Sequence, residues 1–130
     1  MPLRMIGAML LGPEALDSGY PLAVAAATGV LIHMTLSIAF AGVFAAIVSS
    51  MFTATAGEFV RTAPGLALAG IVFGVALWLV NFYLIAPLAG WTWFPERRDP
   101  VVQFLAHAFF FGCPVGWMLA RTRVAIGATM

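Results

Sequence analysis

Three side chains able to do chemistry lie inside long apolar stretches: His33 in LIHMTLS, Asn81 in LVNFYLIAP and His107 in FLAHAFFFG. An imidazole or carboxamide in hydrocarbon is expensive unless it is bonded, which makes each a functional candidate. Three chemistries fit these residue types. The first is hydrogen-bond glue between helices, with Thr35, Ser37, Tyr83 and Gln103 within about a turn as supporting groups. The second is axial ligation of haem b by His33 and His107, shielded by Met34, Phe109, Phe110 and Phe111. The third is a proton or small-solute path, because histidine titrates near neutral pH. The glue reading is the expectation, with no cofactor required. The haem reading lacks paired histidines on each helix, and only Arg97 and Arg98 stand near enough to meet propionates. The path reading lacks an acid, lysine or arginine within the apolar stretches.

Other chemistry is not expected. Cys113 has no base on its helix face, and beside Pro114 it fills a bend. There is no carboxylate pair, no glycine-rich phosphate loop and no metal-ligand spacing stronger than two lone histidines. The chain therefore reads as a non-enzyme with no resident metal.

The elements that must position these residues follow from composition. Of 130 residues, 63% are hydrophobic and only 8% are charged, and mean hydropathy is +1.05. Soluble domains carry about 25% charged residues, so this chain could not cover its own surface in water. It reads as an all-α integral membrane protein. A formal charge of +1 and a single cysteine argue against a nucleic-acid binder and a disulfide scaffold.

Three stretches are long enough to cross a bilayer, which takes roughly 20 residues. The first transmembrane helix spans 21–50 and is long enough to tilt or project. A connector at 51–63 carries Glu58 and Arg61, and Pro64 opens the second helix, 64–88. A connector at 89–99 sets Trp91, Trp93 and Phe94 beside Glu96, Arg97, Arg98 and Asp99, with the two tryptophans as interfacial anchors. The third helix, 100–121, precedes a tail at 122–130. Residues 1–20 read as a short interfacial or re-entrant helix, because the apolar run from Met5 to Leu11 is too short to span and is closed by Gly12 and Pro13. That acidic, proline-broken continuation also argues against a cleaved signal peptide. Arginines divide three against three between the two sides, Arg4, Arg97 and Arg98 against Arg61, Arg121 and Arg123, so they set no orientation.

At 1.5 Å per residue, His33, Asn81 and His107 lie about 18, 9 and 10 Å from helix ends that alternate onto one side. One polar layer near the 89–99 connector is expected to contain them, with at least two of the three bonded across helices. Helix association is expected through small residues. These are Ala25 and Gly29 on the first helix, Gly70 and Gly74 on the second, and Ala108, Gly112 and Gly116 on the third. Asn81 is two turns past Gly74 and on its face. Gln103, His107 and Pro114 share a second face of the third helix, which suggests a partner outside the chain.

The segments RMIGAMLLGPEAL (from Arg4), HMTLSIAF (from His33), NFYLIAPLAGWTWFP (from Asn81) and FLAHAFFFG resemble an uncharacterised family of small bacterial multi-helix membrane proteins. Some members carry a sodium:proline symporter label, and the motifs have no assigned chemistry. The resemblance covers nearly the whole chain, with His33, the Asn81-Phe82-Tyr83 triplet and His107 at matching positions. It implies four helices, a cytoplasmic carboxyl end and an external Trp91–Asp99 connector. This sequence lacks the helix that precedes the Arg4 segment in that family, which implies a different start or an incomplete chain.

The functional expectation is a non-catalytic accessory subunit of a larger membrane complex, energy-transducing assemblies being suitable hosts, in the bacterial inner membrane. Its partners would be other membrane-protein subunits and bound lipids, not nucleic acid. The alternatives are a haem b electron-transfer protein using His33 and His107, and a small oligomeric transporter or channel.

Overall fold

The computed structural model describes residues 2–51, 58–96 and 99–127, with the backbone alone for 95–96 and 123–127. Most of the 51–63 connector and the Arg97–Arg98 pair lie outside the described residues. The described residues are mostly helical, with no strand among them. Three helices are long and apolar enough to cross a membrane: α2 (Leu22–Met51), α3 (Ala63–Leu88) and α5 (Pro100–Thr122). The short helices are α1 (Pro2–Leu11) and α4 (Trp93–Glu96). This is an integral membrane protein. The chain divides into two compact units, Met1–Ala41 and Gly42–Met130.

In the first unit, α1 lies antiparallel on the start of α2. A Cβ on Gly7 would collide with the carbonyl of Ala25, and one on Gly29 with the carbonyl of Leu3. The two backbones meet directly at these glycines. The turn between the helices, Pro13–Leu16, is held by one side chain. Arg4 donates from Nε to the carbonyl of Ala15 at 2.6 Å, and from its terminal nitrogen to the carbonyls of Asp17 and, at 3.0 Å, Tyr20. All three carbonyls lie in or just after this turn, and a guanidinium supplies in-plane donors for several at once.

In the second unit, α3 and α5 run antiparallel with the same kind of contact repeated along their length. Built Cβ atoms on Gly70 and Gly112 would each strike the other's carbonyl. One on Gly116 would strike the carbonyl of Leu66, and one on Gly74 that of His107. Such approach admits Cα–H···O contacts and dense packing, which are what hold helices together where the solvent is as apolar as leucine. The end of α2 and the Phe59–Arg61 turn close one end of this pair. There Phe44, Val48, Val60, Leu66 and Ala120 form a buried cluster, with Phe44 and Phe73 rings 5.3 Å apart.

Helix starts and stops have local causes. Thr62 caps α3 by accepting from the Gly65 N–H at 3.1 Å, and Asp99 caps α5 by accepting from the Val101 N–H at 2.8 Å. Each cap is followed by a proline in the first turn, Pro64 and Pro100. α3 ends at Gly90, whose φ of 72° lets the Trp91 N–H bond back to Ala86 at 2.8 Å and the Gly90 N–H to Pro87 at 3.1 Å.

Gly112→Val puts two methyl groups where the Gly70 backbone sits, and is expected to destabilise the protein by about 1–3 kcal/mol or more. Gly42→Ala, with open space around its Cβ, is expected to be neutral or stabilising by up to about 1 kcal/mol through helix propensity. Unfolding in mild detergent followed by circular dichroism compares the two; equal losses would contradict this packing.

Candidate functional site

Neither α3 nor α5 is a uniform α-helix. Val80–Ile85 in α3 and Ala106–Gly112 in α5 are wound as π-helix, with bonds reaching one residue further back. The Ala86 N–H donates to the carbonyl of Asn81, and the Cys113 N–H to that of Ala108. Each wide turn ends two residues before a proline, Pro87 or Pro114. Proline supplies no N–H and its ring crowds the carbonyl four residues earlier. A wider turn relieves that crowding, and such turns recur at functional sites. Asn81 lies in the first π segment and His107 in the second.

Gly74 permits close contact with the backbone at His107. The His107 ring then bends back along α5, where Nδ1 lies 2.8 Å from the carbonyl of Gln103. A carbonyl only accepts, so Nδ1 carries the proton of this bond and Nε2 is the lone-pair nitrogen of the neutral ring. Across the helix pair, the ring stands edge-to-face on Phe82, centroids 5.6 Å apart at 89°. Side chains lean toward the N-terminus of their own helix. On antiparallel helices, deep His107 and shallower Phe82 therefore lean toward each other.

Phe82 continues the series to Phe94 at 5.5 Å, and Phe94 to Trp93 at 6.3 Å. A second group joins Tyr83 and Phe104 to Trp78 at 5.3 and 5.6 Å. Edge-to-face pairs of this kind contribute about 0.5–1.5 kcal/mol each beyond area burial. The α4 connector is thus tied to the intramembrane histidine by rings.

The other expected site residues are placed as follows. Asn81 is half-buried one residue before Phe82, so α3 brings it next to the residue that touches His107. No hydrogen bond joins its side chain to another described residue. Gln103 contributes its backbone carbonyl to His107, and Tyr83 is exposed at its Trp78 contact. Gly70, Gly74, Ala108, Gly112 and Gly116 are all buried in the second unit, and Ala25 and Gly29 in the first. Trp93 is 7% exposed, whereas Trp91 is half-buried. His33 and Thr35 are exposed on α2 in the first unit, and Ser37 is half-buried.

Sequence reasoning missed the π segments, the Arg4 clip and the Phe82–Phe94 ring contact. The first had a signal: a polar residue six or seven positions ahead of an intrahelical proline occurs twice, Asn81 with Pro87 and His107 with Pro114. Among the described residues no group of three or more metal-ligating side chains occurs. Compared with family models, curated proteins and solved structures, the chain matches none.

The hydrogen bond to Gln103 predicts that neutral His107 is the Nδ1–H tautomer. Solid-state NMR of histidine-labelled protein in bilayers is expected to show a protonated Nδ1 and an unprotonated Nε2. The opposite tautomer would mean that the ring is oriented by another group.

Proposed function

We propose that this chain is a non-catalytic subunit of a larger membrane assembly, with the His33 face of α2 covered by a helix of another subunit. One observation carries the reading. Within the first unit His33 is exposed on a helix that crosses the membrane, and among the described residues of that unit no hydrogen bond reaches its imidazole. A bare polar group in hydrocarbon costs on the order of several kcal/mol. It sits about 17 Å along α2, counting from Leu22 at 1.5 Å per residue, so it reaches headgroups only if much of that long helix projects. A partner helix offering a hydrogen bond removes the cost. Half-buried Ser37, four residues on and on the same helix face, adds a hydroxyl to that interface. A bacterial inner-membrane complex suits a chain with so little mass outside its spans.

Extracted in mild detergent, the wild-type protein is expected to run as part of a larger species by native mass spectrometry. His33→Leu is expected to leave its helicity unchanged and release it from that species, while His33→Asn, which keeps a hydrogen-bonding group, retains part of the association. A wild-type protein that runs alone as a monomer at every concentration would sink the proposal.

A second reading, haem b ligation through His107, is favoured by one feature: the contact of Nδ1 with the backbone carbonyl of Gln103 fixes the orientation of the ring. This reading is optical. Protein from haem-replete cells is expected to give a reduced-minus-oxidised b-type difference spectrum that His107→Ala abolishes. A colourless preparation would end it.

A further inference from the structure

The end of the second unit opposite the α4 connector combines exposed arginines with exposed aromatic rings. Arg121 lies over the indole of Trp117, its guanidinium carbon 3.8 Å from the ring centroid. Both side chains are exposed, Trp117 at 47%. Stacking occupies one face of the guanidinium and leaves its in-plane N–H donors at the margin of the ring. Among the described residues, no hydrogen bond or ion pair takes those donors. Arg4 is the opposite case, since its donors close a turn of the chain itself.

Position along α5 sets the level of this group. Arg121 is about 31 Å from Pro100 at 1.5 Å per residue, close to the ~30 Å thickness of the hydrocarbon. If α5 starts at one boundary, Arg121 emerges at the other. A second arginine is delivered to the same end by the fold. Arg61 ends the Phe59–Arg61 turn, and the adjacent Val60 is fully buried in the cluster that also contains Ala120, the neighbour of Arg121. Phe59 is 47% exposed beside it. Glu58 is the one acid on this end among the described residues, and the sequence adds Arg123.

We propose that this end binds the phosphate of an anionic phospholipid headgroup, with Arg121, held flat by Trp117, as the principal contact and Arg61 as the second charge. The shared chemistry is a phosphate oxygen accepting from a guanidinium fork. A lipid is the source that fits, because the donors emerge at headgroup level beside rings that favour the same layer. The inference stands apart from the assembly proposal, since an isolated monomer would bind the lipid equally well.

The test titrates the intact protein in mild detergent with phosphatidylglycerol, phosphatidylcholine or inorganic phosphate, reading bound species by native mass spectrometry and the unfolding midpoint by circular dichroism. Phosphatidylglycerol is expected to bind and raise the midpoint, with little response to the other two. Arg121→Gln and Arg61→Gln are each expected to weaken that binding about fivefold. Arg121→Lys keeps the charge but not the fork and falls between wild type and Arg121→Gln; it serves as the readout if the glutamine variant fails to fold. Equal binding of the two lipids, or wild-type binding by Arg121→Lys together with Arg121→Gln, would overturn the proposal. A response to inorganic phosphate matching that to phosphatidylglycerol would overturn the lipid assignment in favour of a free anion.

Discussion

The structure of the second unit depends on backbone meeting backbone between α3 and α5. Gly70 and Gly112 face each other, Gly116 meets the carbonyl of Leu66 and Gly74 that of His107. In a bilayer no hydrophobic force draws helices together, so contact area and close polar–polar approach must do it. A single Cβ at any of these positions would push the helices apart, because the atom it meets is backbone and cannot swing aside. The register that the glycines fix decides which rings meet further along. With Gly74 against His107, Phe82 comes within reach of the imidazole, and Trp78 within reach of Phe104.

Prolines set the second constraint. Pro87 and Pro114 each lie inside a membrane helix and lack a donor, and the chain responds by widening the preceding turn. That response is local, but its consequence is not. The wide turns alter the angular phase of the residues they contain, Asn81 and His107 among them. The two costliest side chains of the unit thus sit where helical geometry is least regular. His107 satisfies one ring nitrogen within its own helix, by a bond to Gln103, and gives its ring edge to a neighbour. Backbone and aromatic groups thus both orient the ring.

The first unit uses the same glycine device on a smaller scale, at Gly7, Ala25 and Gly29. α1 is only ten residues long, so it covers little of α2. Arg4 secures the turn between them by collecting three carbonyls, and therefore takes a structural place in a chain with few charges. Arg121, stacked on Trp117, is left facing outward. The same residue type thus has two uses, set by whether backbone acceptors lie in the plane of its guanidinium.

The sequence by itself determined the class and the three spans. Charge scarcity and unbroken apolar length are properties of composition, and no packing detail can reverse them. It also determined the helix starts, because Thr62–Pro64 and Asp99–Pro100 act within one turn. The small residues at Gly70, Gly74, Gly112 and Gly116 were legible as a face, since a four-residue spacing always lines up along a helix. Which face met which was not legible: that depends on antiparallel register and on the distance between two backbones. The site divides in the same way. That His33, Asn81 and His107 were exceptional followed from their polarity in apolar surroundings. That His107 turns to Gln103 and Phe82, and that His33 stands exposed, was decided by tertiary structure. Side-chain direction in a π turn departs from the 3.6-residue period, and exposure depends on which neighbours the fold supplies.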